Sequence, residues 1–289
     1  MADFTPTLNL AGFFGFPAPA KLNLFLHVIG RRADGYHLLQ SVFQLIDAHD
    51  TVWLRPDASG EIVREDPLPG VPPQTDLIWR AAKLLQDHTG CKQGVTLNLD
   101  KRLPMGGGVG GGSSDAATVL LALNRLWGLD LSRQELMALG LQLGADVPFF
   151  LYGSNAFVEG IGEIMTPIET ESCWFAVLHP QVHVPTPDIF RDPDLTRNTP
   201  PIKVRGLATA STRNDLEAVA CRQHPLIAES IEWLNHYAPA RMTGSGSCVF
   251  ARFASQDEAA RVISRLPDFW HGFTTSALSQ HPLQGFAGG

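Results

Sequence analysis

Positive charge is scarce in this chain. Its 289 residues carry 22 lysines and arginines against 29 aspartates and glutamates, a formal net charge of −7 at pH 7 with histidine neutral. That balance excludes a broad nucleic-acid surface, which would be basic. It also means that any anionic ligand must be met by local cations and backbone groups. Cysteine is sparse too: Cys91, Cys173, Cys221 and Cys248 stand far apart, with no C-x-x-C pair and no framework spacing. Such usage fits reduced thiols in a cytosolic protein. No segment approaches 18 uninterrupted apolar residues, so no membrane span is expected. The first basic residue is Lys21, later than a secretory leader would place its positive charge. The expected location is therefore cytoplasmic, with neither membrane nor nucleic acid as a partner.

What the chain does have is apolar material and glycine. Hydrophobic residues make up 44% and charged residues 18%, enough to fill real cores in a globular protein. Residues 1 to 16 read as a loose leader. From "PAPAKLNLFLHVIG" the alternation is strict, with Leu22, Leu24, Leu26 and Val28 on one face of a strand and Lys21, Asn23, Phe25 and His27 on the other. Asp34-Gly35 signals a hairpin into "LLQSVFQLI". "TVWLRP" and "EIVRE" read as further short strands, and "REDPLPGVPPQTD" as a proline-rich surface loop. "DLIWRAAKLLQDHTG" has helical spacing with a glycine stop, and "GVTLNLDKRLP" alternates again as a strand.

Six glycines then fall within residues 106–112, directly before a strong helix, "SSDAATVLLALNRLWG". A second helix follows with a Ser132…Glu135 capping box. Near residue 170 the pattern changes to a buried strand, "WFAVLHP", and a long proline-studded loop. Two helical stretches, the strand-glycine-strand unit "ARMTGSGSCVFARF", a further helix and a frayed end complete the chain. Strand runs followed by helices predict an α+β protein with two cores, divided as residues 1–168 and 169–289.

Glycine costs about 1 kcal/mol relative to alanine inside an ordered element, so a cluster this dense answers a local need. Gly106, Gly108 and Gly111 satisfy G-x-G-x-x-G, but the Rossmann unit needs a second parallel strand ending in an acid, and here a second helix follows. Gly107 and Gly112 have Walker A spacing, but Ser113 stands where the lysine must be. The remaining reading uses the physics those motifs share. Glycines let the backbone wrap a phosphate, and a helix beginning near Ser113 points free N–H groups and a positive dipole end at it. Ser113 and Ser114 add hydroxyls for phosphate oxygens or a metal. A bulky residue at Gly110 is then expected to block the phosphates while sparing the fold.

"PMGGGVGGGSSDAAT" resembles the phosphate-binding signature of the GHMP kinases. "PAPAKLNLFLHV" is similar to that family's first strand, and "MTGSGSCVFARF" to its glycine-rich C-terminal segment. Three signals in order span residues 17 to 253. The resemblance implies two α+β domains, an S5 domain 2-like N-terminal one and a ferredoxin-like C-terminal one, with nucleotide and substrate between them. It further implies an ATP-dependent small-molecule kinase, monomeric or weakly dimeric, with Mg²⁺ delivered by ATP. "RADGYHLLQSVFQ" and "LGADVPFF" narrow the likeness to the branch whose acceptor carries a cytidine diphosphate, in the non-mevalonate route to isoprenoid precursors.

On this resemblance, Asp146 is the general base and Lys21 its cationic partner. Lys101, Pro104, Met105, Gly106, Gly107, Gly108, Val109, Gly110, Gly111, Gly112, Ser113 and Ser114 bind ATP. Asn23 and Thr186 line the acceptor site, Tyr36 and Phe190 sandwich the cytosine ring, and His37 bonds its edge. Local sequence alone leaves alternatives open. Asp146 reads equally as a helix N-cap before Pro148, and Lys21 as part of a solvated strand face. Asp76 stands where an asparagine is expected near the adenine. His179 and His183 are four apart, but Pro180 argues against a helix that would align them as a zinc pair, and no metal ligand set is assigned. Two rivals remain: another kinase of the same superfamily, acting on mevalonate, homoserine or a sugar, and a non-catalytic ATP-binding homologue.

Overall fold

Two long strands organise the first half of the molecule. In the computed structural model, which describes residues 4–67 and 70–286, β1 (Thr7–Leu8) precedes β2 (Phe14–Arg31), which turns at Asp34–Gly35 into β3 (His37–Asp57). The turn is closed by Arg32 N–H donating to Tyr36 O at 2.7 Å and Gly35 N–H to Arg32 O at 3.0 Å. "LLQSVFQLI" and "TVWLRP" are one strand, not two. β2 pairs with β3 from Phe14↔Leu54 to Arg31↔His37, and three register shifts absorb the mismatch. The leader expectation also fails from residue 7 onward. Phe13 and Phe16 are buried and Phe4 packs on the same core, while residues 1–3 lie outside the described residues.

The first sheet is completed by β4 (Ile62–Arg64), β5 (Gly94–Asp100), β6 (Ala156–Gly160) and β7 (Ile164–Pro167). Its order is β1-β2-β3-β5-β4, with β6 pairing β3 and β7 on a branch. Residues 68 and 69 of the proline-rich loop lie outside the described residues. Helices α1 (Leu77–Thr89), α2 (Gly111–Leu126), α3 (Arg133–Leu143) and α4 (Val147–Tyr152) share one apolar core with this sheet. Their ends follow local chemistry: Asp76 caps α1, Gly90 ends it in the left-handed region, and the Ser132–Glu135 box opens α3. α2 runs through the middle of that core, its apolar residues from Ala116 to Leu123 fully buried or nearly so.

The second sheet contains β8 (Trp174–His179), β9 (Ala240–Met242), β10 (Val249–Phe253) and β11 (His271–Ser276). Every pairing is antiparallel in the order β11-β8-β10-β9. Counting these strands along the chain, the spatial order is 4-1-3-2, the ferredoxin-like β-α-β-β-α-β arrangement. Its helices are α5 (Thr186–Arg191), α6 (Glu217–Gln223), α7 (Pro225–Asn235) and α8 (Gln256–Ile263). α5 lies inside the stretch expected to be all loop, because Pro187 fits its first turn.

The two halves meet across a seam of Ala20, Leu22, Ile46 and Val109 against Phe175, Val177 and Phe250. The opposite face of β2 is covered too, which corrects the expectation of a solvated strand face: Lys21, Asn23, Phe25 and His27 are each at most 3% exposed. The far end of β2 is also clasped by the second half, Asp215 N–H donating to Leu26 O and Thr199 N–H to Val28 O. The frayed end is corrected as well. After β11 the chain returns to the first half, where Leu278 N–H donates to Leu45 O, His281 N–H to Gly153 O, and Leu283 is wholly buried in the first core. Residues 287–289 lie outside the described residues.

Candidate active site

A cleft of about 1330 Å³ opens between the halves, larger than the roughly 300–1,000 Å³ typical of a single small-molecule site. The glycine segment forms one wall. Two backbone contacts fix it, Lys21 N–H donating to Val109 O at 2.9 Å and Cys248 N–H to Gly107 O at 3.0 Å. The first ties the loop to β2 and the second to the other glycine-rich segment, residues 243–248. α2 begins at Gly111, two residues before the serine expected to open it. Gly110 adopts φ 74° and offers no side-chain cap. A Cβ there would lie 2.9 Å from the Phe150 ring, so only glycine fits. The first turn of α2 therefore presents uncapped N–H groups to the cleft, the arrangement that binds phosphate.

Every residue expected on the ATP side lines this cleft except Ser114. Ser114 is wholly buried and its Oγ has no partner. The helical phase explains this: with α2 starting at Gly111, Ser113 faces the cleft and the next residue faces the core.

Asp146 occupies the N-cap position of α4 without making a side-chain cap. Its carboxylate turns instead to Lys21, with Oδ2 3.3 Å from Nζ. The Lys21 ammonium also donates to Asn23 Oδ1 at 2.5 Å and lies 4.7 Å from the centre of the Phe43 ring. Asn23 donates to Ser41 Oγ at 2.9 Å and is 1% exposed. The two side chains of the pair differ sharply in access: Lys21 is 4% exposed and Asp146 33%. A buried ammonium needs such partners, and the exposed carboxylate edge is open to a substrate.

Lys101 stands differently. Its Nζ lies 2.5 Å from Asp50 Oδ2 and 2.9 Å from Asp115 Oδ2. Asp50 Oδ1 additionally accepts from the N–H groups of Arg102 and Leu103. Burial alone would lower the Lys101 value, but the two carboxylates hold it above the ordinary lysine range. Burial pushes the Asp115 carboxyl up to about 7, with Lys101 opposing and Asp50 adding to the rise.

Asp76 is also fully engaged. Oδ1 accepts from Ile78 N–H at the start of α1 and Oδ2 from Arg64 Nε at 2.9 Å. A buried arginine thus accounts for an acid where an amide was expected.

Of the residues expected around the acceptor, Tyr36 is 61% exposed on the cleft rim. The rings of His37 and Phe190 pack together, centroids 4.9 Å apart and planes 32° from parallel. Arg197 donates through Nε to His37 Nε2 at 3.1 Å and through Nη2 to Phe190 O at 2.9 Å. Since arginine only donates, His37 Nε2 accepts, and its ring proton sits on Nδ1 in the neutral form. Burial, then Arg197 and Arg31, hold the His37 value below the ordinary range. The Thr186 and Ser245 hydroxyls are 2.6 Å apart, joining α5 to the second glycine-rich segment. Asp50, Arg64, Asp115 and Arg197 were not singled out from the sequence. Their partners are distant in the chain, and only the sequence "HDTVW" hinted at an acid entering a buried strand.

Two family models match the chain: the GHMP kinases N terminal domain over residues 76–154 and the GHMP kinases C terminal over residues 201–272. The chain belongs to the GHMP kinase family. It is 59% identical over 277 residues to a Ralstonia nicotianae protein named 4-diphosphocytidyl-2-C-methyl-D-erythritol kinase, covering 94% of this chain and 96% of that one. A Thiobacillus denitrificans protein of the same name is 58% identical over 271 residues, covering 94% and 98%. The crystal structure of a 4-(cytidine 5'-diphospho)-2C-methyl-D-erythritol kinase superposes with a TM-score of 0.80 at 35% identity, covering 91% of this chain and 98% of that one. The Methanococcus jannaschii mevalonate kinase shares the fold, with a TM-score of 0.66 at 14% identity over 93% of this chain and 100% of that one. The α+β expectation and the two-domain GHMP kinase fold therefore hold for this member of the family.

Proposed function

We propose that this GHMP kinase transfers the γ-phosphoryl group of ATP to the 2-hydroxyl of 4-diphosphocytidyl-2-C-methyl-D-erythritol, giving the 2-phosphate and ADP. The observation that carries the reading is the 3.3 Å pair of Lys21 and Asp146, facing the same cleft as the uncapped first turn of α2. The names of the relatives at 58–59% identity supply the acceptor.

Phosphoryl transfer needs positioning, charge neutralisation and an acceptor for the hydroxyl proton. In this cleft the N–H groups of residues 110–113 hold the ATP phosphates. Asp146 takes the proton of the 2-hydroxyl as its oxygen bonds to the γ-phosphorus and the bond to the ADP oxygen breaks. Lys21 stays beside Asp146 and offsets the negative charge gathering there. Mg²⁺ enters as part of the MgATP substrate. Among the described residues no group of three histidine, cysteine or acidic side chains is placed to hold an ion.

The cytosine is placed beside Tyr36, His37 and Phe190, with Arg197 bracing the last two. The enzyme acts as a monomer or weak homodimer in the cytoplasm; among the described residues no helix is long and apolar enough to cross a membrane. ATP turnover followed by ³¹P NMR tests the assignment, with the cytidyl substrate, mevalonate and homoserine compared side by side. Turnover confined to the cytidyl substrate is expected, and preference for either of the others would overturn it. CDP should also raise the melting temperature more than UDP does.

A further inference from the structure

The charges lining the cleft cancel. Among the described residues, Lys21, Arg31, Lys101 and Arg191 face Asp34, Asp76, Asp115 and Asp146. Moreover, Lys21 is paired with Asp146, and Lys101 with two carboxylates. Arg31 directs Nε to Gly35 O at the hairpin turn, which leaves Arg191, on α5, as the one lining lysine or arginine with neither an ion pair nor a side-chain hydrogen bond among the described residues. Yet the reaction proposed above brings two phosphate chains into this space, which calls for donors beyond Arg191 and the N–H groups of residues 110–113.

His183 is such a donor, in a place its chain neighbours hold firmly. Ser247 Oγ donates to Val182 O at 2.5 Å, and Val184 is buried at 3% exposure. Both flanks of His183 are thereby anchored, while the histidine itself is exposed in the cleft wall. Its ring lies against the outer turn of the glycine loop: a Cβ on Gly106 would be 2.6 Å from His183 Nδ1 and 3.1 Å from Cε1. The close approach therefore depends on glycine at 106, and the ring stands where the phosphate-binding backbone turns outward. A purely structural role is a poor fit, because an exposed ring adds little to the core.

We infer that His183 binds a phosphate oxygen of a bound nucleoside diphosphate group, beside Gly106 of the loop that leads into α2. This rests on the kinase reading above. One chemistry has two sources here, the ATP phosphates and the pyrophosphate of the acceptor. ADP and CDP separate them as probes.

The test measures binding of MgADP and of CDP by calorimetry to the wild type, His183→Ala and His183→Gln, with melting temperatures recorded for all three. A hydrogen bond to a charged group implies that His183→Ala weakens binding by about tenfold or more. His183→Gln, which keeps a donor, should recover part of it, and the melting temperatures should agree without ligand. Loss confined to ADP assigns the contact to ATP, and loss confined to CDP assigns it to the acceptor. Wild-type binding that both variants reproduce would overturn this inference and leave the kinase reading standing. A wild type that binds neither probe would overturn both.

Discussion

Adjacent glycines separate two lysine-carboxylate clusters that use the same residue types for different ends. Lys21 packs against Gly110 and Lys101 against Gly111; Cβ atoms on the two glycines would meet Lys21 Cγ at 3.2 Å and Lys101 Nζ at 3.0 Å. Lys21 has one carboxylate partner, at 3.3 Å, and that partner is one-third exposed. Lys101 has two, at 2.5 and 2.9 Å, with the aspartates 0% and 3% exposed. The first cluster leaves a carboxylate edge free for a substrate proton. The second uses its charge internally, joining the end of β5 to the second turn of α2. Exposure and partner number, not residue identity, separate chemistry from scaffold.

The comparison can be broken at either cluster. Asp146→Asn keeps the shape and removes the proposed base, and should lower kcat by about 10²–10⁴-fold with little change in the KM for ATP. Near-normal turnover would move Asp146 into the scaffold class. Asp50→Ala should instead reduce stability by about 3–5 kcal/mol, because it takes one of two carboxylates from a buried ammonium and leaves two backbone N–H groups unpaired. Denaturant unfolding reads this directly, and a loss under 1 kcal/mol would mean that the second cluster is no scaffold.

Away from both clusters, Phe190→Ala should raise the KM for the cytidyl substrate by about 5- to 150-fold, the range of one aromatic-base stack, while sparing the affinity for ATP. An unchanged KM would remove Phe190 from the acceptor site. The smallest effect is a slope. Asp115 holds its proton more tightly folded than unfolded, up to about 7. Its contribution to stability is thus complete at acid pH and fades as pH rises from its ordinary value near 4 through about 7. Asp115→Asn should therefore gain on the wild type in melting temperature across that window. A difference constant with pH would show that Asp115 does not titrate there.

Much of this was legible because short-range patterns carried it. The Asp34-Gly35 hairpin, the Ser132–Glu135 box and the glycine loop before a helix each follow from neighbouring residues. The site failures were long-range. The burial of Lys21 comes from Phe43, Asp146 and the glycine loop, all far along the chain, which the strand pattern cannot see. The helix start at Gly111 turned Ser114 inward, a two-residue boundary shift with a large consequence for one hydroxyl. Arg64 reached Asp76 across a proline-rich segment that hides their proximity. Gly110 was expected to matter for ATP alone. Its contact with the buried Phe150 ring means that valine there would disturb the core as well, so its loss of ATP binding could not be read separately from folding.

The returning tail has a consequence for how the molecule is made. Leu283 fills the first core, and Phe286 packs on Phe16, with ring centroids 5.4 Å apart. Domains generally fold in the order in which the ribosome releases them. Here the half that emerges first lacks part of its interior until residues 283–286 have been synthesised. A nascent chain that ends at Ser276 has every strand of both sheets, yet its earlier half still waits for the plug that seals it.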